Sequence, residues 1–183
     1  SFDGLKEVHS KFFNPLKNTY NFFVMYANAD KIDTDECNVK YEDLDLIDKW
    51  LLSKYNTLVK NVRASFDEYD LNKVVHFLTD FVCEDLSNWY IRRNRNRFWD
   101  SHLTTSKKAV YKTTYDVLVG LSKLIAPICP YISEEMYRNL TNEESVHLSN
   151  YPVVNEEYIN STIEEKMDKV RDLISLGRNA RED

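Results

Sequence analysis

Apolar side chains recur along this chain at intervals of three and four residues, the signature of helices that bury one face. The longest unbroken stripe runs Leu44, Ile47, Leu51, Tyr55, Leu58, Val62, Phe66, with Asp43 or Asp45 placed to cap its start. Asp70 then caps a third helix whose face reads Leu71, Val75, Leu78, Val82, Leu86, Trp89. An earlier helix begins at Asn14-Pro15, an N-cap residue followed by proline at the first helical position, and carries Leu16, Tyr20, Phe23 and Ala27. If helix already runs through Leu5, Val8 and Phe12, Pro15 kinks it instead. Residues 30–43 are acidic and polar and read as a surface loop.

A fourth helix runs from about Ser106 through Val110, Thr113, Val117, Leu121 and Leu124, and Pro127 and Pro130 end it. Gly120 within it costs about 1 kcal/mol against alanine; a close helix–helix approach and an unforced choice explain it equally well. A short helix follows over 133–140, with Glu134 and Glu135 suited to the dipole of its first turn. Residues 141–155 read as loop or short extended chain. A last helix covers about 156–176, with Ile159, Ile163, Met167, Val170 and Ile174 as its face. Four long amphipathic helices, joined by connections that reach between antiparallel neighbours, predict an all-α antiparallel bundle over 1–155. Residues 156–183 form a C-terminal helix leading out of it.

Composition supports this reading. The 183 residues include 3 Gly and 4 Pro, where average usage gives roughly 12 and 9. So few turn residues exclude a many-stranded sandwich or barrel. A chain of this size buries roughly 70% of its unfolded surface without help from disulfides or metal. Cys37, Cys83 and Cys129 are scattered, with no Cys-x-x-Cys pair, and read as reduced thiols in an intracellular protein. No run approaches 18 uncharged apolar residues, so no membrane span is expected. The chain opens Ser1-Phe2-Asp3 without Met or secretory signal, and closes Gly177-Arg178-Asn179-Ala180-Arg181-Glu182-Asp183 with no stop signal. Both ends read as cuts from a longer protein.

Catalytic signatures are missing. His9, His76, His102 and His147 share no metal-ligand spacing, and there is no Gly-rich phosphate loop and no Gly-x-Ser-x-Gly elbow. Neither a catalytic residue nor a bound metal is expected.

The formal charge of -6 argues at first against a nucleic-acid partner. Its distribution reverses that argument. From Asn88 to Lys112 there are seven Lys or Arg and one acid, a local +6, so the other 158 residues carry -12. This basic island holds Asn88-Trp89-Tyr90-Ile91-Arg92-Arg93-Asn94-Arg95-Asn96-Arg97-Phe98-Trp99, where four arginines are interleaved with asparagines and large aromatics. Guanidiniums bind phosphates, aromatic faces stack unpaired bases, and asparagine reads base edges, which is the chemistry of single-stranded RNA recognition. The same residues also suit packing: Trp89 continues an apolar stripe, Phe98 and Trp99 can plug a bundle end, and arginines complement a helix C-terminus. Composition alone leaves both roles open.

The run Leu86 to Trp99 closely resembles the helix-bundle segment of isoleucyl-tRNA synthetases of the eukaryotic and archaeal type. Ala126-Pro127-Ile128-Cys129-Pro130-Tyr131-Ile132-Ser133-Glu134-Glu135-Met136-Tyr137 resembles a segment of class Ia synthetases generally. Ser145-Val146-His147-Leu148-Ser149-Asn150-Tyr151-Pro152 and the stretch Lys166 to Glu182 resemble the segments that follow it, and Asn18-Thr19-Tyr20-Asn21-Phe22-Phe23 resembles the first bundle helix. The resemblance covers essentially the whole chain. Signatures of the His-Ile-Gly-His and Lys-Met-Ser-Lys-Ser kind, which belong to the catalytic domain, are absent.

The resemblance implies an anticodon-binding bundle, non-catalytic by itself and without a cofactor of its own, from a cytoplasmic enzyme that uses ATP to join isoleucine to its tRNA. The implied partners are the anticodon stem and loop of tRNA(Ile) and the catalytic domain of the same polypeptide, with no DNA and no membrane. Arg92, Arg93, Arg95 and Arg97 would contact phosphates and bases, Lys107, Lys108 and Lys112 the neighbouring backbone, and Tyr90 or Trp99 would stack a splayed base. Arg92 and Arg93 point about 100° apart on a helix, so the four arginines cannot share one surface. Two are expected on RNA and the others in bracing roles. The alternatives are the same domain of a valyl or leucyl enzyme, and a structural or docking bundle that never touches RNA.

Overall fold

Among the described residues every regular element is a helix, and the long ones follow the predicted stripes in order. The computed structural model describes residues 2–33 and 36–182; at Leu5 and at Arg178 to Glu182, which the first stripe and the last motif include, it describes the backbone alone. Helix α1 spans 2–29 as one rod, α2 is Leu46–Asp67, and α3 spans 71–99. Helix α4 is Thr105–Ile125, α5 is Pro130–Thr141 and α6 is Ser161–Glu182. Single 3-10 turns sit at Tyr41–Asp43, Val146–Leu148 and Glu156–Tyr158. No helix is long and apolar enough to cross a membrane among these residues.

Helices α1, α2 and α4 pack around α3, α5 lies on α4, and α6 lies on α2. Leu16, Trp50, Leu51, Leu86, Leu118 and Leu121 are fully buried at the centre. Hydrogen bonds from Arg97 to Asp48 join the end of α3 to the start of α2, so those two helices run antiparallel.

Three starts depart from the predicted ones. Asn14 is helical (φ -64°, ψ -49°) and caps nothing; Pro15 lies inside a continuous α1. The turn before it, His9–Phe13, winds wide, and the Asn14 N–H donates to the His9 carbonyl five residues back. A widened turn makes room for a ring that would otherwise strike the carbonyl four residues earlier. Helix α5 begins at Pro130, so Glu134 and Glu135 are not in its first turn. Glu134 instead accepts from Val146 N at 2.8 Å and Ser145 Oγ at 2.9 Å, which fastens the chain after α5. Residues 156–158 form a separate turn before α6.

Two stripes are corrected as well. Leu71 and Val75 are exposed and Val74 faces the core in their place, beside Leu78, which is buried as the stripe predicts. The wide winding of Phe81–Ile91 changes the angle per residue, and it brings Val82, Leu86 and Trp89 back onto the buried side. In α6, Ile163, Met167 and Ile174 pack against the core while Val170 is exposed. Asp45 is the cap of α2 and forms a reciprocal pair with Asp48; Asp70 and Thr104 cap α3 and α4 through bonds from Lys73 N and Lys107 N.

Gly120 is explained by close approach. A Cβ there would collide with Cζ and Oη of Tyr55 on α2. Overpacking of this kind costs about 1–3 kcal/mol, against about 1 kcal/mol gained in helix propensity. Gly120→Ala is therefore expected to lower the thermal midpoint, and the same change in a Tyr55→Leu background to raise it relative to that background. Circular-dichroism melts of the four chains check both signs.

Candidate nucleic-acid interface

The last two turns of α3, Arg92–Trp99, sort the arginine-rich motif onto two faces. Tyr90, Asn94 and Phe98 are spaced by four and buried. Arg92, Arg95, Asn96 and Trp99, at i, i+3, i+4 and i+7, share the opposite, exposed face. Trp99 is 53% exposed. Helical spacing thus makes one row of two guanidiniums, an amide and an indole in solvent.

Tyr90 leaves the predicted set. Its ring is fully buried and its hydroxyl donates to Asp48 Oδ1 at 2.6 Å. Burial, with the Asp48 charge beside it, pushes the phenol well above its ordinary pKa. No base can reach this ring.

Arg97 leaves it too. Its side chain is 16% exposed and forks onto Asp48, Nη1 to Oδ1 and Nη2 to Oδ2, both at 2.8 Å. Nη2 also lies 3.0 Å from Asp45 Oδ2, Nε donates to Ser106 Oγ at 2.8 Å, and Nη2 donates to the Ser106 carbonyl at 2.7 Å. Nη1 donates to Asn94 Oδ1 at 3.0 Å. Burial alone would lower the guanidinium pKa, but the bonds to Asp48 raise it on balance. Every donor direction points into the protein, so Arg97 braces the fold.

Lys107 is buried at the start of α4, where Nζ meets Asp30 Oδ2 at 2.7 Å and the Asp100 carbonyl at 2.5 Å. It too is corrected to a structural role. Tyr111 Oη donates to the same Asp30 carboxylate at 2.6 Å. Lys112 is half-buried and paired with Asp116 at 2.5 Å, one turn along α4. Asp30 and Asp45, at the two ends of the acidic stretch after α1, thus take up Lys107 and part of Arg97.

Arg92, Arg93 and Arg95 remain exposed, and Lys108 on α4 is half-buried. The Arg93 guanidinium lies 3.6 Å from the centre of the Trp89 ring, a cation–π contact. Next to Arg92 a cleft of about 440 Å³ opens between α3 and α6, with Asn88, Trp89, Arg171 and Ser175 in its wall. Asn96, in the exposed row, was legible from its spacing to Arg92 and Trp99 but not from composition. The role of Asp48 gave no composition signal, since it sits in a charged stretch of α2. No three His, Cys, Asp or Glu side chains converge on a metal-sized site among the described residues.

Residues 48–183 match the family described as the anticodon-binding domain of tRNA ligase. The isoleucine–tRNA ligase of Bacteroides thetaiotaomicron is 41% identical over 180 residues, 95% of this chain and 16% of that protein. Isoleucine–tRNA ligase 2 of Bacillus anthracis is 43% identical over 176 residues, 96% of this chain and 17% of that protein. The isoleucine–tRNA ligase of Porphyromonas gingivalis is 39% identical over 175 residues, 95% and 15% of the two chains. The chain thus spans about one sixth of the length of these curated relatives. All three come from bacteria, beside the eukaryotic and archaeal type that the arginine-rich motif resembles.

Arg97→Ala strands Asp48 as an unpaired buried charge, a loss of about 3–5 kcal/mol. That is a large share of the roughly 5–15 kcal/mol that holds a domain, so the urea midpoint is expected to fall steeply, while Arg95→Ala leaves it nearly unchanged. Acid supplies a second test. Burial pushes the Asp30 carboxyl up, but Lys107 and Tyr111 outweigh it and hold it below its ordinary value. A depressed native pKa stabilises the fold above the unfolded value of about 4, and the benefit is lost as pH falls through the native pKa. Urea titrations from pH 6 downward should show stability falling below about pH 4, with a shallower fall in Asp30→Asn.

Proposed function

The chain belongs to the anticodon-binding domain family of tRNA ligases, and we propose that it grips the anticodon stem and loop of an isoleucine tRNA through the exposed face of Arg92–Trp99. The observation that carries this reading is the row Arg92, Arg95, Asn96, Trp99, set in solvent beside Arg93. Arginines in such a row hold a phosphate backbone, Trp99 offers a face to an unstacked base, and Asn96 offers an amide to a base edge. The choice of isoleucine is supported by the similar proteins, which are isoleucine–tRNA ligases.

In the whole protein this domain positions the tRNA while a separate catalytic domain of the same polypeptide uses ATP to activate isoleucine and transfer it. The domain itself supplies neither a catalytic group nor a cofactor, and the cytoplasm is the compartment in which we place the enzyme. Binding energy spent on the anticodon arm orients the far acceptor end, which is how a non-catalytic domain contributes to rate.

Binding of an anticodon stem-loop RNA to the 183-residue chain, followed across a salt series, tests the reading. Arg92→Ala and Arg95→Ala are each expected to weaken binding and to reduce the slope of log K against log salt by about 0.7–0.9 per lost phosphate contact. Trp99→Ala is expected to lose about 1–3 kcal/mol of binding at unchanged slope, as removal of a stacked base does. Unchanged affinity and slope in all three variants would overturn the assignment, and binding equal to that of an unrelated stem-loop would leave a docking bundle as the better reading.

A further inference from the structure

We infer that Arg171 of α6 is a positioning residue for the exposed Arg93, acting through the indole of Trp89; this rests on the RNA-binding reading above. Arg171 lies 79 positions and a different helix away from Arg92, and nothing in the basic island points to it.

Helix α6 is fastened by two polar side chains seven residues apart, hence on one face. At its start, Glu164 accepts from Ser53 Oγ at 2.5 Å and Thr57 Oγ1 at 3.0 Å, and the Asn160 N–H donates to Ser53 Oγ at 2.8 Å. Two turns on, Arg171 Nη1 donates to Asp85 Oδ1 at 2.5 Å and Nη2 to the Glu84 carbonyl at 3.3 Å. Lys54 Nζ lies 3.3 Å from the other Asp85 oxygen. The Arg171 guanidinium is thereby held 5.3 Å from the centre of the Trp89 ring.

That ring is the platform on which Arg93 lies at 3.6 Å. Trp89 is almost fully buried, and its Nε1 finds no hydrogen-bond partner among the described residues. With no hydrogen bond to fix its tilt, the indole is held by packing and by the two guanidiniums. Arg171 is anchored from another helix, so it pins the ring, and the pinned ring limits the positions open to the Arg93 guanidinium. A long side chain ordered before binding loses less entropy when it meets a phosphate.

Removing Arg171 leaves Asp85 paired with Lys54, so the fold is expected to survive the substitution. The experiment is a double-mutant cycle on the 183-residue chain with the anticodon stem-loop: wild type, Arg93→Ala, Arg171→Ala and both. Arg171→Ala is expected to weaken binding about 5-fold with the salt slope unchanged, because it removes no phosphate contact. The double variant is expected to bind as weakly as Arg93→Ala alone. Arg171→Lys, which keeps the ion pair and loses the guanidinium's contact with the ring, should fall between wild type and Arg171→Ala. The Nε–Hε resonance of Arg93 should turn mobile in free Arg171→Ala, by heteronuclear NOE. If Arg171→Ala melts early, the Lys variant carries the cycle.

Additive losses, or a slope reduced by Arg171→Ala itself, would make Arg171 a direct RNA contact and overturn the inference. So would an Arg93 resonance that stays rigid. A wild-type chain that binds no stem-loop would overturn the functional reading and this role with it, whereas binding with an unresponsive Arg93 would overturn this role alone.

Discussion

Asp48 is a carboxylate with no solvent exposure at all, and the basic end of the bundle is organised around the need to satisfy it. An isolated charge at that depth costs several kcal/mol. Arg97 supplies both fork bonds and Tyr90 a third, from two places on α3. Ser106 then links Arg97 to Asp45, so the starts of α2 and α4 and the end of α3 share one network. A buried ion network of this kind adds little net stability over an apolar core. It does fix register, because a one-residue slip of α3 against α2 would leave the charge unpaired.

The same network decides what the basic island can do. Seven cations lie between Asn88 and Lys112, yet Arg97 is consumed by the buried Asp48, Lys107 by Asp30 and Lys112 by Asp116. What faces solvent is narrower and better ordered than the sequence total implies: one helical row, with Arg93 lying on Trp89. The acidic residues are not confined to the far surfaces. Asp30 and Asp45 stand at the basic end itself, where they neutralise the cations that hold the fold and leave the outward row positive.

Much of the fold was legible from periodicity, because α2 and α4 bury unbroken three-four stripes and nothing interrupts their winding. Several of the errors fall where winding departs from 3.6 residues per turn. Of the two readings at Pro15, a helix start or a helix already running through Val8 and Phe12, the structure bears out the second, and the wide turn that accommodates the ring leaves no trace in composition. The face read from Leu71 to Trp89 assumes one regular winding, and the wide turns of Phe81–Ile91 break that assumption, which leaves Leu71 and Val75 exposed. For the site, residue type located the motif and spacing already separated its faces: Tyr90, Asn94 and Phe98 lie one turn apart, on the side that Arg97 also reaches. Arg97 and Lys107 were misassigned because a charge reads as exposed unless its partner is known, and Asp48 and Asp30 are distant in sequence. Arg171 lay beyond sequence reasoning for the same reason.

The division between arginines that hold the fold and arginines that hold RNA can be read in one titration. Side-chain Nε–Hε resonances of the arginines and the indole resonance of Trp99, followed by NMR as an anticodon stem-loop is added, report each group separately. Shifts at Arg92, Arg95 and Trp99 with Arg97 unmoved are the predicted result. A shift at Arg97 with Arg92 and Arg95 silent would contradict it, since the RNA would then be meeting the face that the structure turns toward Asp48.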